Sequence, residues 1–125
     1  MVTRTIREWT YDHASASESG DYCQVLFEKS DDNDEFYVLI QSQFEFPQDC
    51  DVVVETDASE WFAELVVERA TLDQQCLLID GSDKGKTVRI IVYYSADNGT
   101  YAELMRVLKI MLPEIDVRPK PSRLD

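Results

Sequence analysis

Short strand-like runs, each soon ended by turn residues, constrain this chain more than any other sequence feature. The stretch Leu72 to Leu112 shows the pattern in full: QCLLID at 75–80, a glycine-bearing turn at 81–85, TVRIIVYYS at 87–95, and an apolar run that stops before Pro113. Alternating and β-branched residues favour strands, and proline ends a helix because it has no amide hydrogen to donate. This stretch therefore predicts a β-hairpin followed by a helix.

Similar runs upstream predict further strands at 3–11, 22–29, 35–43 and 51–56. The segment HASASESG at 13–20 is small and polar, so we expect it to be a loop. The charged residues 30–34 are expected to close a hairpin between two of these strands.

The run at 61–69 could form either a strand or a helix capped by Ser59. Its aromatic and β-branched residues favour the strand. In a strand, alternate side chains share a face, so one mixed face would carry Phe62, Glu64, Val66 and Glu68.

Thr100 and Glu103 have the spacing of a capping box, which predicts a helix over 100–112 that buries Leu104, Leu108 and Met111 against the sheet. The predicted fold is α+β: an antiparallel, mostly meander sheet of six or seven strands with one C-terminal helix packed on a face. A length of 125 residues suits a single domain over 1–125, with a tail that frays from about residue 114.

The net charge of −13 is unevenly distributed: residues 1–80 carry 4 basic and 19 acidic side chains, whereas residues 81–125 carry 8 and 6. Such a field repels nucleic acid and anionic membranes and attracts basic partners. We therefore expect a basic protein as partner, with no nucleic acid and no membrane. The alternative is that the acidic residues serve only solubility, and homodimerisation stays open.

Cys23, Cys50 and Cys76 form no CxxC pair, and no apolar run approaches the ~20 residues of a membrane span. The first residues alternate and carry charges, unlike the apolar core of a secretory signal. These features predict a cytoplasmic protein with reduced thiols.

Several motifs come close to known sites and fail. Residues 80–87 resemble a phosphate-binding loop, but Asp80 stands where the first glycine should be and a strand follows instead of a helix. The acidic segment that starts at Asp31 resembles a calcium loop, but Phe36 stands where its glycine should be and Ser42 where its final glutamate should be. His13 is the only histidine and has no zinc-ligand spacing around it. We predict no catalytic residue, no metal ligand and no cofactor, and therefore not an enzyme.

With these residues in view, the order of elements resembles the immunity protein 10 family, small bacterial proteins thought to neutralise toxins of polymorphic toxin systems. The similarity spans roughly residues 35–112 and is carried by FYVLIQ, DVVVETDAS, FAELVVERATLDQQCLLID, VRIIVYYS and AELMRVLKIML. The chain departs from the family pattern at 59–63, where an asparagine and a glycine-bearing turn are expected. The resemblance implies a toxin inhibitor without catalytic residues.

Our first hypothesis is a non-enzymatic binding protein, an immunity-like inhibitor whose acidic surface docks on a basic toxin. The alternatives are an acidic chaperone for a secreted effector and an enzyme of unrecognised type. The predicted partner-binding residues are Asp57, Glu60, Trp61, Glu64 and Glu68, with a second patch of Asp31, Asp32 and Asp34. A competing interpretation places Phe62 and Val66 beneath the helix, which would leave these acids merely peripheral.

Overall fold

A computed structural model of the protein describes residues 4–19, 22–29, 37–42, 52–56 and 62–118, which form nine strands and one helix. The α+β class with one C-terminal helix is confirmed, but the strands outnumber the six or seven predicted. In chain order the elements are β1 (Arg4–Thr10), β2 (His13–Ser19), β3 (Tyr22–Glu28), β4 (Tyr37–Ser42), β5 (Val52–Thr56), β6 (Phe62–Asp73), β7 (Cys76–Asp83), β8 (Lys86–Tyr93), α1 (Asn98–Met111) and β9 (Asp116–Val117).

The strands pair in the order β1-β8-β7-β6-β5-β4-β3-β2, and β9 is added to β6. All neighbouring pairs from β2 to β8 are antiparallel, as expected for a meander. However, β1 is parallel to β8, and the short β9 is parallel to β6. The prediction of a wholly antiparallel sheet is therefore wrong in these two places.

The parallel pairing of β1 with β8 follows from the way the sheet closes on itself. Each antiparallel pairing reverses the strand direction, so six reversals bring β8 into the direction of β2, and β1 then also runs in the direction of β2. Only Tyr11 and Asp12 separate β1 from β2, so the two form one bent strand that pairs with β8 before the bend and with β3 after it. When β1 and β2 are counted as one strand and β9 is left out, the ring contains seven strands. An odd number of strands in a ring cannot alternate in direction throughout, so one neighbouring pair has to be parallel.

The buried apolar residues of the described ranges form one core on the inner face of this curved sheet. Alternate residues of the strands point into it, among them Phe27, Ile40, Leu65, Ile79 and Ile90, which are all 0 % exposed. The helix α1 packs against β2 and β3 from the same side and contributes Leu104, Val107, Leu108 and Met111. The predicted buried face of the helix is confirmed.

Strand β6 belongs to both halves of the sheet. Its first residues, 62–65, pair with β5, and from Val66 onward it pairs with β7. The register shifts between Val67 and Arg69, so Glu68 has no opposite residue and forms a β-bulge. Opposite the bulge, a Cβ on Gly81 would lie 2.5 Å from the backbone oxygen of Val66. The close approach of these two strands therefore requires glycine at position 81.

The segment 13–20 was predicted to be a loop, but residues 13–19 form strand β2. Its alternation explains the difference: Ala14 is buried and Ala16 is half-buried, whereas Ser15 and Ser17 are exposed. Small residues suit this position because α1 packs directly on β2. Tertiary packing here overrides a low strand propensity.

Three boundaries also differ from prediction. The hairpin turn consists only of Lys84 and Gly85, both with positive φ (54° and 86°), so Gly81 to Asp83 belong to β7. The helix begins at Asn98, because the Asp97 side chain accepts the Thr100 amide at 2.7 Å, so Thr100 is not the cap. The predicted fraying tail includes β9, and residues 119–125 lie outside the described part.

Candidate functional site

Strand β6 carries the part of the predicted partner surface that the structure describes. Glu64 and Glu68 lie on it. The other predicted residues fall outside the described ranges, namely Asp57, Glu60, Trp61, Asp31, Asp32 and Asp34.

The mixed face of β6 points away from the core. Ala63 and Leu65 are buried, while Phe62 is 54 % exposed and Val66 is 46 % exposed, with the exposed Glu64 between them. The helix packs on the opposite side of the sheet, so the interpretation that Phe62 and Val66 lie beneath it is wrong. Two large apolar side chains are thus presented to solvent beside a carboxylate.

The neighbouring strands extend this pattern. Glu55 of β5 is opposite Phe62, and Val53 is opposite Glu64, so each of these two pairs joins an acidic and an apolar side chain. On β4, Leu39 is opposite Glu55. We call this surface the acidic-apolar face; it consists of Leu39, Val53, Glu55, Phe62, Glu64 and Val66.

Sequence reasoning missed Leu39, Val53 and Glu55, although a signal was present. Each strand alternates, and the buried members are Val38, Ile40, Val52 and Val54. The remaining residues of β4 and β5 therefore had to share the outer face with those of β6. What could not be seen in the sequence was the register that places Glu55 beside Phe62.

The described residues do not neutralise the acidic-apolar face. Tyr37 donates a hydrogen bond from its hydroxyl to Oε2 of Glu55 at 3.0 Å, which orients that carboxylate without supplying charge. The outer face formed by β2 to β5 and by 62–66 of β6 contains no lysine or arginine among its described residues. A ligand with positive charge would therefore meet no competing cation on it.

Glu68 lies apart from this arrangement. Strict alternation grouped it with Glu64, but the bulge interrupts the alternation, and it is Arg69 that takes the next position opposite Asp80. Glu68 is exposed and lines a groove of about 370 Å³ between β6 and the segment 111–116. The structure therefore does not bring Glu68 into the acidic-apolar face.

On the other half of the outer surface, Asp80 is paired with two arginines. Asp80 accepts hydrogen bonds from Nε and Nη2 of Arg89, at 2.6 and 3.0 Å, and from Nη2 of Arg69 at 3.3 Å. The hydrogen bond from Arg89 and its charge hold the pKa of the Asp80 carboxyl below its usual range, against the opposing effect of burial. This cluster holds β6, β7 and β8 together beside the bulge.

Cys23, Cys76 and His13 lie outside the acidic-apolar face. Cys23 is buried in the core, and burial raises the pKa of its thiol. Cys76 is half-buried, and desolvation raises its pKa to about 11. His13 is exposed on β2, with Nε2 3.9 Å from a Glu28 oxygen, and Cys50 lies outside the described ranges. A raised thiol pKa leaves little thiolate at neutral pH, which disfavours a nucleophilic role.

No three or more His, Cys, Asp or Glu side chains within the described ranges are grouped so as to hold a metal ion. The described part of the chain also contains no helix that is long and apolar enough to cross a membrane. Comparison with protein-family models, curated proteins and solved structures found no match. The resemblance to the immunity protein 10 family stays a prediction.

Proposed function

We propose that this chain is a non-enzymatic binding protein that holds a basic protein against its acidic-apolar face, as an immunity-like inhibitor of a basic toxin would. The observation that carries the proposal is the exposure of Phe62 and Val66, 54 % and 46 %, on either side of the exposed Glu64. Val53 and Glu55 continue the same surface on the adjacent strand.

The combination of residues matters more than the charge alone. Acidic side chains that serve only solubility need no large apolar neighbours, and exposed apolar side chains beside them gain contacts only when a partner covers them. Carboxylates speed the encounter with a basic partner, while desolvated apolar and aromatic side chains slow its dissociation. The acidic-apolar face offers both within one pair of strands.

A second copy of this chain fits the face poorly. A symmetric dimer built on it would place Glu55 and Glu64 near the same carboxylates of the other copy, with no described cation of that face between them. Like charges brought together in this way oppose association. A partner with an excess of Lys and Arg is the better match.

The test is capture from extracts of the native host, with the parent protein and the double variant Glu55→Gln/Glu64→Gln as baits. The matched control is Glu103→Gln/Glu114→Gln, which removes the same charge at two exposed sites on α1 and in the segment after it. We expect the parent and the control to retain the same basic protein, in a salt-sensitive manner, and the face variant to lose it.

The inhibitor role is then tested by expressing the captured protein in a host that lacks this chain. Growth arrest that is relieved by co-expression of the parent, but not of the face variant, is the expected result. If the parent retains no basic protein, or if the face variant and the control retain it equally, the acidic-apolar face is not the binding site.

A further inference from the structure

Glu55 and Glu64 lie on a diagonal of the acidic-apolar face. Glu55 is opposite Phe62, and Glu64 is two residues further along β6. Diagonal neighbours in an antiparallel pair lie about 7–8 Å apart, and their Cβ atoms somewhat less, which is within reach of long side chains. A single cation placed between these carboxylates could therefore contact both.

Apolar side chains occupy the other diagonal of the same four positions. Phe62 is opposite Glu55 and Val53 is opposite Glu64, so each carboxylate has an apolar neighbour directly across the strands. Such a site matches a side chain with an apolar stem and a cationic head, which only lysine and arginine possess.

The ring of Phe62 distinguishes between these two side chains. It is 54 % exposed, so a partner group can lie on it. A planar guanidinium stacks on an aromatic ring and also offers a fork of N–H donors to neighbouring carboxylates, whereas an ammonium group is a compact and strongly hydrated charge. The hydrogen bond from Tyr37 holds Glu55 in place for such a contact.

We infer that the partner anchors on the acidic-apolar face through an arginine side chain, which stacks on Phe62 and bridges Glu55 and Glu64. The inference rests on the proposed function, since it names the group by which the basic partner is recognised. An arginine in this position would relieve the repulsion between the two carboxylates and cover the exposed ring in one contact.

The experiment compares two probes of equal charge, hexa-arginine and hexa-lysine, at low ionic strength. Affinities are measured by calorimetry, and the binding site is located from the backbone amide shifts of Val53, Glu55, Phe62 and Glu64 in NMR spectra. We expect hexa-arginine to bind roughly three- to tenfold more tightly than hexa-lysine and to shift these amides.

Two variants separate the ring from the charge. Phe62→Leu keeps an apolar side chain but removes the ring, so it should abolish the preference for arginine while leaving the affinity for hexa-lysine unchanged. The matched control is Tyr93→Leu, which removes an aromatic ring that is 40 % exposed on β8 and should preserve the preference. Amide spectra of both variants without peptide show whether the fold is intact.

The outcomes distinguish the inference from the proposed function. If both peptides shift the face residues equally, or if Phe62→Leu weakens both alike, the arginine anchor is overturned and the basic partner is not. If neither peptide shifts these amides, both ideas fail together. If the chemical shifts of the same amides change when the protein is concentrated without peptide, a second copy occupies the face and the inference is likewise overturned.

Discussion

The β-bulge of β6 can be tested with three Gly→Ala substitutions that make the same chemical change in different surroundings. At Gly81 the new Cβ would lie 2.5 Å from the Val66 oxygen and 3.2 Å from the Val67 Cα, and all of these atoms belong to backbone. Ordinary contacts of a Cβ begin near 3.4 Å, so the paired strands would have to separate by most of an ångström. Backbone shifts of this kind cost about 1–3 kcal/mol, and we expect the upper end of that range.

The other two glycines provide the comparison. Gly85 has nothing within 4 Å of a new Cβ but has a φ of +86°, so alanine should cost about 1 kcal/mol through backbone strain alone. Gly99 lies in the first turn of α1, where the nearest atom would be 3.6 Å away, so alanine should stabilise by roughly 0.5–1 kcal/mol.

Urea denaturation followed by circular dichroism measures all three variants. With a slope of about 1–3 kcal/mol per molar urea, a loss of about 3 kcal/mol in Gly81→Ala lowers the midpoint by roughly 1 M or more. The expected order of stability is Gly99→Ala, parent, Gly85→Ala, Gly81→Ala. A Gly81→Ala variant as stable as the parent would show that β6 and β7 do not approach as closely as described, and the bulge at Glu68 would lose its explanation.

Two further predictions concern the core and the charge cluster. Leu108 is 0 % exposed, so Leu108→Ala should lower the free energy of unfolding by about 2–5 kcal/mol, and a melt within error of the parent would refute the assigned helix face. The pKa of Asp80 is lowered in the fold, so its carboxylate stabilises the protein above the unfolded pKa of about 3.9, and this stability is lost as the pH falls through the lower folded value. In Asp80→Asn, the free energy of unfolding measured by urea denaturation should therefore fall less steeply between about pH 5 and pH 2 than in the parent. An equally steep fall in both proteins would contradict the stabilising role of the Asp80 carboxylate.

Local patterns in the sequence predicted most of the elements because their alternation is strong. The run at 87–95 has apolar residues on both faces, which favours a central strand, and β8 indeed lies between β1 and β7. Its inner residues Val88, Ile90 and Val92 are buried. The preference of the run at 61–69 for a strand over a helix is confirmed by β6, because Ala63 and Leu65 form a buried period-two pattern.

The features that the sequence did not reveal depend on contacts between distant residues. The pairing of β1 with β8 joins the two ends of the meander, and nothing near residues 4–10 specifies a partner at 87–93. Strand β2 was missed because serine and alanine have low strand propensity, and its stability comes from β3 and α1. The bulge was missed although Gly81 marks it, since an isolated glycine in a strand indicates a bulge only once the opposite strand is known.

The part of the candidate site on β6 could be predicted from local alternation, whereas the part on β5 depends on contacts between distant residues. Alternation placed Phe62, Glu64 and Val66 on one face, but both faces of the run at 61–69 contain apolar residues, so the sequence alone did not tell which face is buried. The common core decides this, because Ala63 and Leu65 are buried in it together with the inner residues of the other strands and of α1. The contributions of Glu55 and Val53 depend on the register of β5 with β6, which only the structure supplies.

The arginines with ion pairs in the described part of the chain use them away from the acidic-apolar face. Arg69 and Arg89 are both committed to Asp80, and Arg106 bridges Glu18 and Glu103 between α1 and β2. Arg118 lies 3.6 Å from Asp116. These cations pair with carboxylates elsewhere in the fold, whereas Glu55 and Glu64 form no ion pair in the described part of the chain. No described lysine or arginine lies on the outer face of β2 to β5 and of residues 62–66, so a basic partner meets no competing described cation there. The exposed Phe62 and Val66 make a protein surface a better match for this face than free salt ions, which would leave both side chains uncovered.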